Sequence, residues 1–330
     1  MSRIVLSHAL YKPGMDLLNA SGNEVIIPDN GDSDVIIDEL KLADAFILRI
    51  GKIDGKAIEA CPRLRVITRP GVGVDNVDVK TATANGIPVV ICPGSNHVSV
   101  AEHTIAFVFA LAKDIVEYDN ETRKGNFKIR NKYSATEIRG KVISILGFGR
   151  IGQEVAKLAV GIGMKVVAYD PFYTKGKVEA MGYGYAATIE EAVSQADYVS
   201  LHMPSLDTTR NMVNKEFLAA MKPTAFLINC ARGDIVDEAA LYEALVNHVI
   251  AGAALDVLSK EPMDAEDPIM KLPNLIISPH SAAQTQESTT NVVTLAVQGT
   301  LAVLEGKEWP NVCNPEVYQT EAWKKKIADK

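Results

Sequence analysis

Residues 142–152 read VISILGFGRIG, an apolar run followed at once by the spacing G-x-G-x-x-G. The run predicts a buried strand, and the residues from Gln153 onward read as a helix. In that setting Gly147 permits a tight turn, Gly149 lets the backbone approach a pyrophosphate, and Gly152 lets the helix pack on the strand. The stretch therefore predicts the strand–turn–helix unit of a dinucleotide-binding domain.

The residues around this motif also indicate which dinucleotide would bind. The backbone N–H groups of Arg150 and Ile151 would face phosphates at the start of the helix. Asp170 ends the next apolar run, 18 residues beyond Gly152, where its carboxylate would accept hydrogen bonds from a ribose. Because its charge would repel a 2′-phosphate, the predicted cofactor is NAD rather than NADP.

Short β-branched runs alternate with amphipathic stretches on both sides of the motif, which is typical of parallel sheets covered by helices. At about 150 residues per domain, a chain of 330 residues suggests two domains. Helices are predicted at 13–20, 35–42 and 237–247. Strands are predicted at 4–6, 25–27, 45–48, 66–68 and 88–91, and then at 142–146, 166–169, 198–201, 225–228, 253–255 and 275–277.

A long helix interrupts the alternation near residue 99. Ser99 and Glu102 have the spacing of a capping box, so Ser99 is the predicted N-cap. Residues 104–112 are apolar on nearly every face of such a helix. We therefore expect this helix to be covered by a second domain or a second subunit.

Composition excludes several classes of protein. A net charge of −7 argues against binding to a nucleic-acid backbone, which needs a basic face. The four cysteines lack metal-ligand spacing, so they read as reduced thiols and no metal site is predicted. The start, MSRIVLSHAL, does not resemble a signal peptide, and no apolar run approaches the ~20 residues that cross a bilayer. The expected location is the cytoplasm, with no nucleic-acid or membrane partner.

Three candidate catalytic residues follow predicted strands in the second half of the chain: Arg232, Glu261 and His280. A guanidinium can hold a carboxylate through two hydrogen bonds, and an imidazole can exchange a proton. A neighbouring carboxylate would raise the pKa of that imidazole. This combination suits redox chemistry on a 2-hydroxy acid. Taken singly, Arg232 could instead form a surface ion pair, and Glu261 could begin a turn.

Several motifs in order resemble the D-isomer-specific 2-hydroxyacid dehydrogenase family, and most of all its branch that acts on 3-phosphoglycerate. The resemblance implies an α/β chain of two lobes, with a Rossmann dinucleotide-binding domain inserted in a flavodoxin-like parallel α/β substrate domain. The implied substrate domain comprises residues 1–98 and 301–330, and the NAD-binding domain residues 99–300. The motifs are PGVGVDNVD (70–78), SVAEHT (99–104), LGFGRIG (146–152), INCARGDIVDEAAL (228–241), AGAALDV (251–257) and SPH (278–280).

The resemblance also implies roles for particular residues. Arg232 would hold the substrate carboxylate, His280 would be the acid/base, and Glu261 would hydrogen-bond His280. A homodimer through the NAD-binding domain is implied as well. Substrate contacts would fall on Arg49, Gly73, Val74 and Asn96. Beyond the glycine motif and Asp170, cofactor contacts would fall on Val72, Met203, Pro204, Thr209, Cys230, Ala231 and Asp256.

The resulting hypothesis is an NAD-dependent enzyme that moves a hydride between nicotinamide and C2 of a D-2-hydroxy acid or its 2-oxo partner. A phosphorylated substrate needs further cations, for which Arg49, Arg69, Arg130 and Lys132 are candidates. Residues 50–52, however, lack the hydroxyl groups expected for such a substrate. Hydroxypyruvate/glyoxylate reductase and D-lactate-type activities remain alternatives. In a different class, an NADH-sensing corepressor-like binding protein would share the same fold.

Overall fold

The computed structural model describes residues 1–29 and 36–328. The chain divides into two compact units, and the second is inserted into the first. The first unit comprises Met1–Asn96 and Thr285–Lys330, and the second comprises His97–Gln284.

The first unit contains a five-stranded parallel sheet in the order β2-β1-β3-β4-β5. This is the flavodoxin-like order that the sequence implies. Its elements are β1 (Arg3–Leu6), α1 (Lys12–Ala20), β2 (Glu24–Ile26), α2 (Ile37–Lys41), β3 (Ala45–Ile47), α3 (Gly55–Glu59), β4 (Val66–Thr68), α4 (Val79–Ala84), β5 (Val89–Val90), α12 (Gln286–Leu304) and α13 (Glu321–Ala328), with a short 3-10 helix at Pro315–Gln319.

Alternation along the strands gives this sheet a hydrophobic core on each face. Ile4 and Leu6 point to the face covered by α1 and α12, while Val5 points to the opposite face. Val293 and Val297 of α12 pack in the same cluster as Ile4. Helix α12 is therefore part of the core of the first unit.

The position of α12 moves the second domain boundary relative to the one implied by sequence. The contacts divide the chain at Thr285, whereas the sequence implies residue 301. The first boundary, between Asn96 and His97, differs by two residues from the one implied. A boundary at 301 would cut α12 away from the strands on which Val293 and Val297 are buried.

The second unit contains a seven-stranded parallel sheet in the order β12-β11-β10-β9-β6-β7-β8. Its elements are α5 (His97–Ala112), α6 (Ile115–Arg123), β6 (Val142–Leu146), α7 (Arg150–Gly161), β7 (Lys165–Tyr169), α8 (Lys175–Ala180), β8 (Gly184–Tyr185), α9 (Ile189–Ser194), β9 (Tyr198–Leu201), α10 (Lys215–Ala220), β10 (Phe226–Asn229), α11 (Glu238–Val246), β11 (Gly252–Leu255) and β12 (Leu275–Ile277), with 3-10 helices at Phe127–Lys132, Gly233–Ile235 and Pro268–Lys271.

The order of these strands identifies the type of fold. Strand β6 lies at the centre, with β7 and β8 on one side and β9, β10, β11 and β12 on the other. This is the Rossmann arrangement with one extra strand at the edge. The α/β fold class, with a Rossmann unit inserted in a flavodoxin-like unit, is thereby confirmed. Among residues 1–29 and 36–328, no helix combines the length and apolarity needed to cross a membrane.

Most elements lie where the sequence predicts them, and the exceptions have physical causes. Strand β8 has two residues and too little apolar pattern to be recognised. Helix α5 begins at His97, so Ser99 lies in its first turn and the prediction of Ser99 as N-cap is wrong. Asp237, where the sequence predicts this helix to begin, is the N-cap of α11 and accepts hydrogen bonds from two backbone N–H groups. In the predicted helix 35–42, Val35 lies outside the described residues, and α2 begins at Ile37.

A close backbone contact joins the last helix to the rest of the first unit. Gly86 has a φ of +67°, and a Cβ there would lie 2.4 Å from the backbone nitrogen of Trp323. Trp323 is buried, and Lys326 Nζ donates hydrogen bonds to the carbonyls of Pro62 and Leu64. Gly86 thus allows α13 to pack against the loop that ends α4.

We expect Gly86→Ala to lower the free energy of unfolding of the first unit by about 3 kcal/mol, because left-handed strain adds to a steric clash. Gly22→Ala is the matched control, since Gly22 has a φ of +70° with nothing within 4 Å of the added Cβ. Its expected cost is about 1 kcal/mol. Urea unfolding followed by tryptophan fluorescence measures both costs, because Trp309 and Trp323 lie in this unit. Equal costs would contradict the close contact.

Candidate active site

The glycine motif has the geometry of a phosphate-binding turn. Gly147 has a φ of +92°, and a Cβ there would lie 2.7 Å from the carbonyl carbon of His202. A Cβ on Gly152 would lie 2.2 Å from the carbonyl oxygen of Gly147. At Gly149 nothing lies within 4 Å of an added Cβ, so the backbone there is open to a ligand. Since α7 begins at Arg150, its first N–H groups face this open side.

Asp170 lies directly after β7 and contacts the glycine turn. Its Oδ2 accepts a hydrogen bond from the Phe148 N–H at 2.7 Å, and its Oδ1 accepts one from the Phe172 N–H at 2.8 Å. The carboxylate therefore carries its negative charge at the side of the turn where the sequence predicts a ribose. These residues fit a dinucleotide: the turn is open at Gly149 and acidic at its edge.

Other predicted cofactor residues follow β9 and β10 at the same edge of the sheet. Met203, Pro204 and Thr209 form a loop in which Thr209 Oγ1 donates to the Pro204 carbonyl at 2.7 Å. Cys230 and Ala231 are buried after β10. Burial raises the pKa of the Cys230 thiol to about 12, so it stays protonated and serves as a small packing group.

His202 lies between the glycine turn and this loop. Its backbone N–H donates to the Leu146 carbonyl at 2.7 Å, and its Nε2 lies 2.8 Å from Ser200 Oγ. Burial lowers the pKa of the imidazole to about 3, so the ring is neutral. His202 is therefore a structural residue beside the turn.

Arg232 is held by a tight turn after β10. Asn229, which is fully buried, accepts a hydrogen bond from the Ala231 N–H at 2.9 Å and donates one to the Arg232 carbonyl at 2.8 Å. The Arg232 Nη1 donates to the Ala231 carbonyl at 2.7 Å. One buried amide side chain thus fixes the backbone from which the guanidinium extends.

A close approach between two loops brings Glu261 towards Arg232. A Cβ on Gly233 would lie 2.0 Å from the carbonyl carbon of Leu258, so only glycine allows the loops to touch. The carboxylate of Glu238 accepts hydrogen bonds from both the N–H and the hydroxyl of Ser259. The Leu258 N–H then donates to Glu261 Oε1 at 3.1 Å.

His280 lies after β12, at the carboxyl end of the sheet, and its side chain contacts Glu261. Its Nδ1 lies 2.8 Å from Glu261 Oε2, and its backbone N–H donates to the Asp256 carbonyl at 2.8 Å. The φ of His280 is +51°, in the left-handed region that few residues adopt without support. The structure therefore joins two of the three predicted catalytic residues directly.

Charge links all three residues. The Glu261 hydrogen bond and charge raise the pKa of His280 above its ordinary value, although burial and the charge of Arg232 oppose the rise. Burial would raise the pKa of Glu261, but the contact with His280, the Leu258 N–H and the charge of Arg232 lower it overall. An ionised carboxylate thus stabilises a protonated imidazole, with a guanidinium near enough to affect both groups.

The first unit carries the predicted substrate residues at the carboxyl edge of its own sheet. Arg49 follows β3, with its N–H donating to Ser7 Oγ and its Nη1 donating to the Ala9 carbonyl. Gly73 and Val74, with the predicted cofactor residue Val72, lie in the loop after β4, and Asn96 lies after β5.

Arg69, another candidate cation of the first unit, forms hydrogen bonds with two loops of that unit. Its Nε donates to Asn76 Oδ1 at 3.1 Å, and its Nη1 donates to the Arg49 carbonyl at 3.0 Å. This guanidinium therefore joins the loop after β4 to the loop after β3.

The open glycine turn and the carboxylate of Asp170 define a dinucleotide-binding domain, and the comparison with known proteins agrees. Residues 105–282 match the family model described as "D-isomer specific 2-hydroxyacid dehydrogenase, NAD binding domain". The chain belongs to this family. The match makes the second unit an NAD-binding domain, which confirms the cofactor predicted from residues 147–152.

Individual relatives agree on the family but differ in the activity that they are named for. A D-3-phosphoglycerate dehydrogenase of Methanocaldococcus jannaschii is 37% identical over 99% of this chain. The chain spans only 62% of that relative's length. A glyoxylate reductase of Korarchaeum cryptofilum is 37% identical over 86% of each chain. A solved structure from Thermus thermophilus superposes with a TM-score of 0.86 at 34% identity, covering 94% of this chain and 99% of that one.

Sequence reasoning missed three residues that build the site: Asn229, Gly233 and Glu238. Their neighbour Arg232 was recognised. Asn229 acts on the backbone of its own turn, and Gly233 and Glu238 act on a loop more than 20 residues away. Gly233 directly follows the arginine, and a glycine there was a signal for a close backbone approach. The Glu238–Ser259 contact, 21 residues apart in sequence, left no local pattern.

We expect Glu261→Gln to lower the pKa of His280, because the variant removes the ionised carboxylate that raises it. NMR titration of the imidazole signals measures this pKa, since the chain has six histidines and His280→Gln assigns the relevant signal. Glu266→Gln is the control, as its carboxylate is exposed and pairs with Lys271. An unchanged His280 titration in Glu261→Gln would show that the contact does not set the pKa.

Proposed function

We propose that this chain is an NAD-dependent oxidoreductase that interconverts a D-2-hydroxy acid and its 2-oxo acid. The observation that carries the proposal is the 2.8 Å contact between His280 Nδ1 and Glu261 Oε2. It lies at the sheet edge that also carries Arg232 and the glycine turn. Family membership and the names of the relatives support the same reaction class.

The mechanism follows from the groups that the chain provides. When bound, NAD supplies the hydride acceptor, and its reduced form the donor. Arg232 holds the carboxylate of the substrate through its planar guanidinium. His280 exchanges the proton of the C2 oxygen at Nε2, because Nδ1 is engaged by Glu261. Glu261 keeps the imidazole oriented and raises its pKa, so the imidazole retains the proton needed for reduction of the 2-oxo acid to a higher pH than it otherwise would.

The sign of the pH dependence follows from this assignment. Reduction requires protonated His280, so its rate should fall as the pH rises through the raised pKa of that residue. Oxidation requires the neutral imidazole and should show the opposite trend.

The proposed coenzyme is NAD rather than NADP, supported by the carboxylate of Asp170 beside the glycine turn. The remaining predicted contacts, from Met203, Pro204, Thr209, Cys230, Ala231, Asp256 and Val72, are part of this proposal. The proposed setting is the cytoplasm, where the four free cysteines would stay reduced.

For the substrate we propose 3-phosphohydroxypyruvate and its reduced partner, with Arg49, Gly73, Val74 and Asn96 as contacts in the first unit. The exposed guanidinium of Arg49 supports an anionic end group. The second candidate is glyoxylate or hydroxypyruvate. It is supported by the hydrogen bonds from Arg69 to Asn76 and to the Arg49 carbonyl, which occupy N–H donors that could otherwise bind a phosphate.

We expect oxidation of NADH with at least one member of a panel of 3-phosphohydroxypyruvate, hydroxypyruvate, glyoxylate and pyruvate. Arg232→Ala and His280→Ala should each lower kcat/KM by about 10²–10⁴-fold while NADH still binds. Stopped-flow absorbance measures turnover, and nicotinamide fluorescence measures binding. His248→Asn is the control, because His248 is exposed and asparagine tolerates its φ of +53°.

Two results would contradict this function. Near-normal turnover in either active-site variant would remove the assigned roles. NADH binding without turnover of any 2-oxo acid would instead support a corepressor-like binding protein of the same fold.

A homodimer through the second unit is a further part of the proposal. Helix α6 has no buried residues and presents Ile115 and Val116, with 52% and 44% of each residue exposed. Phe127 and Tyr133 nearby are 70% and 84% exposed, and Phe109 of α5 is 36% exposed. Apolar groups concentrated along one stretch of chain are typical of a protein interface.

We expect the double variant Ile115→Asp/Val116→Asp to be monomeric, because two buried carboxylates would oppose association. Size-exclusion chromatography with light scattering at micromolar concentration distinguishes the states. Leu42→Asp is the control, with an equally exposed leucine in the first unit. A monomeric parent protein, or a dimeric double variant, would exclude this interface.

A further inference from the structure

His103 connects helix α5 to the turn that carries His280. Its Nε2 lies 3.0 Å from Ser278 Oγ and 3.7 Å from Asp256 Oδ1. The ring packs edge-on against Phe107, with ring centroids 4.6 Å apart. The His103 side chain is 26% exposed, whereas that of Asp256 is only 1% exposed.

The hydroxyl of Ser278 has one proton, and this fixes the direction of the chain of hydrogen bonds. Ser278 Oγ donates to Asp256 Oδ1, because an ionised carboxylate only accepts. Ser278 Oγ must therefore accept from His103, which requires a proton on Nε2 of that ring. The order is His103 to Ser278 to Asp256.

Asp256 uses its remaining acceptors to hold the turn from Ser278 to Ala282. Its Oδ1 also accepts from the Ser281 N–H at 2.8 Å, and its Oδ2 accepts from the Ala282 N–H at 2.9 Å. Its carbonyl accepts the His280 N–H at 2.8 Å. Asp256 thus holds the left-handed backbone of His280 in two ways. Its carbonyl binds the His280 N–H, and its carboxylate binds the residues on either side of the histidine.

We propose that His103 is a positioning residue that, through Ser278 and Asp256, holds His280 in the orientation needed for proton exchange. The inference rests on the acid/base role proposed for His280. His103 does not contact the reacting atoms in this assignment. Its N–H fixes the Ser278 hydroxyl, the hydroxyl fixes the buried carboxylate, and the carboxylate fixes the turn.

The charged groups acting on His280 make the effect measurable without turnover. Glu261 first, and then the charge of Asp256, raise the pKa of His280, while burial and Arg232 lower it. A looser turn would weaken the contact with Glu261. The pKa of His280 should therefore fall when His103 loses its N–H donor.

The test compares His103→Leu with His103→Gln, since the glutamine amide places an N–H donor close to the position of Nε2. We expect the leucine variant to lower kcat for 2-oxo acid reduction about tenfold, the equivalent of one lost hydrogen bond in a charged network. KM should stay within about twofold, and the His280 pKa should fall. The glutamine variant should retain both kcat and the His280 titration. Glu102→Gln, at the exposed neighbour on α5, is the control and should match the parent.

A double-mutant cycle that combines His103→Leu with Ser278→Ala provides a second test of the proposal. If His103 acts through Ser278, the loss of kcat in the double variant should be close to that in Ser278→Ala alone, since both substitutions break the same series of hydrogen bonds. Additive losses, an unchanged His280 titration in His103→Leu, or equal losses in the glutamine and leucine variants would overturn it. Because the titration of His280 needs no substrate, it tests the positioning role of His103 even if no 2-oxo acid is turned over.

Discussion

One main-chain hydrogen bond, from the His280 N–H to the Asp256 carbonyl, joins the end of β12 to the end of β11. These strands are parallel neighbours at the edge of the sheet, so their ends meet without a long connection. The carboxylate of Asp256 accepts hydrogen bonds from the N–H groups of Ser281 and Ala282 and so fixes the turn that follows His280. The imidazole can reach Glu261 only because the backbone is fixed on both sides of it.

The other half of the site depends on the absence of a side chain. At Gly233 the loop after β10 touches the backbone of Leu258, and any Cβ would separate the two. The carboxylate of Glu238 also holds Ser259, the next residue of that loop. Arg232 and Glu261 therefore occupy two loops pressed together, and the guanidinium can influence the carboxylate. The chemistry assigned to three side chains depends on a larger set of backbone contacts.

Local patterns in the sequence were sufficient for the glycine turn and for every strand except β8, and they singled out the three candidate catalytic residues. Buried parallel strands are short apolar runs, and residues 142–152 combine such a run with glycines whose spacing has a steric cause. The patterns failed where long-range packing decides. Helix α12 is apolar enough for either unit, and only its packing against α1 and the strands of the first sheet assigns it to the first. No local pattern indicates the role of His103, because its partner Ser278 lies 175 positions away in the sequence.

The discontinuous first unit has a consequence for biosynthesis. Its core needs Val293 and Val297 of α12 and Trp323 of α13, all encoded after the whole second unit. During synthesis, the part of the sheet face that α12 covers therefore stays exposed while residues 97–284 emerge and fold. The part of the core around Ile4 and Leu6 that α12 covers is therefore completed only when translation reaches that helix.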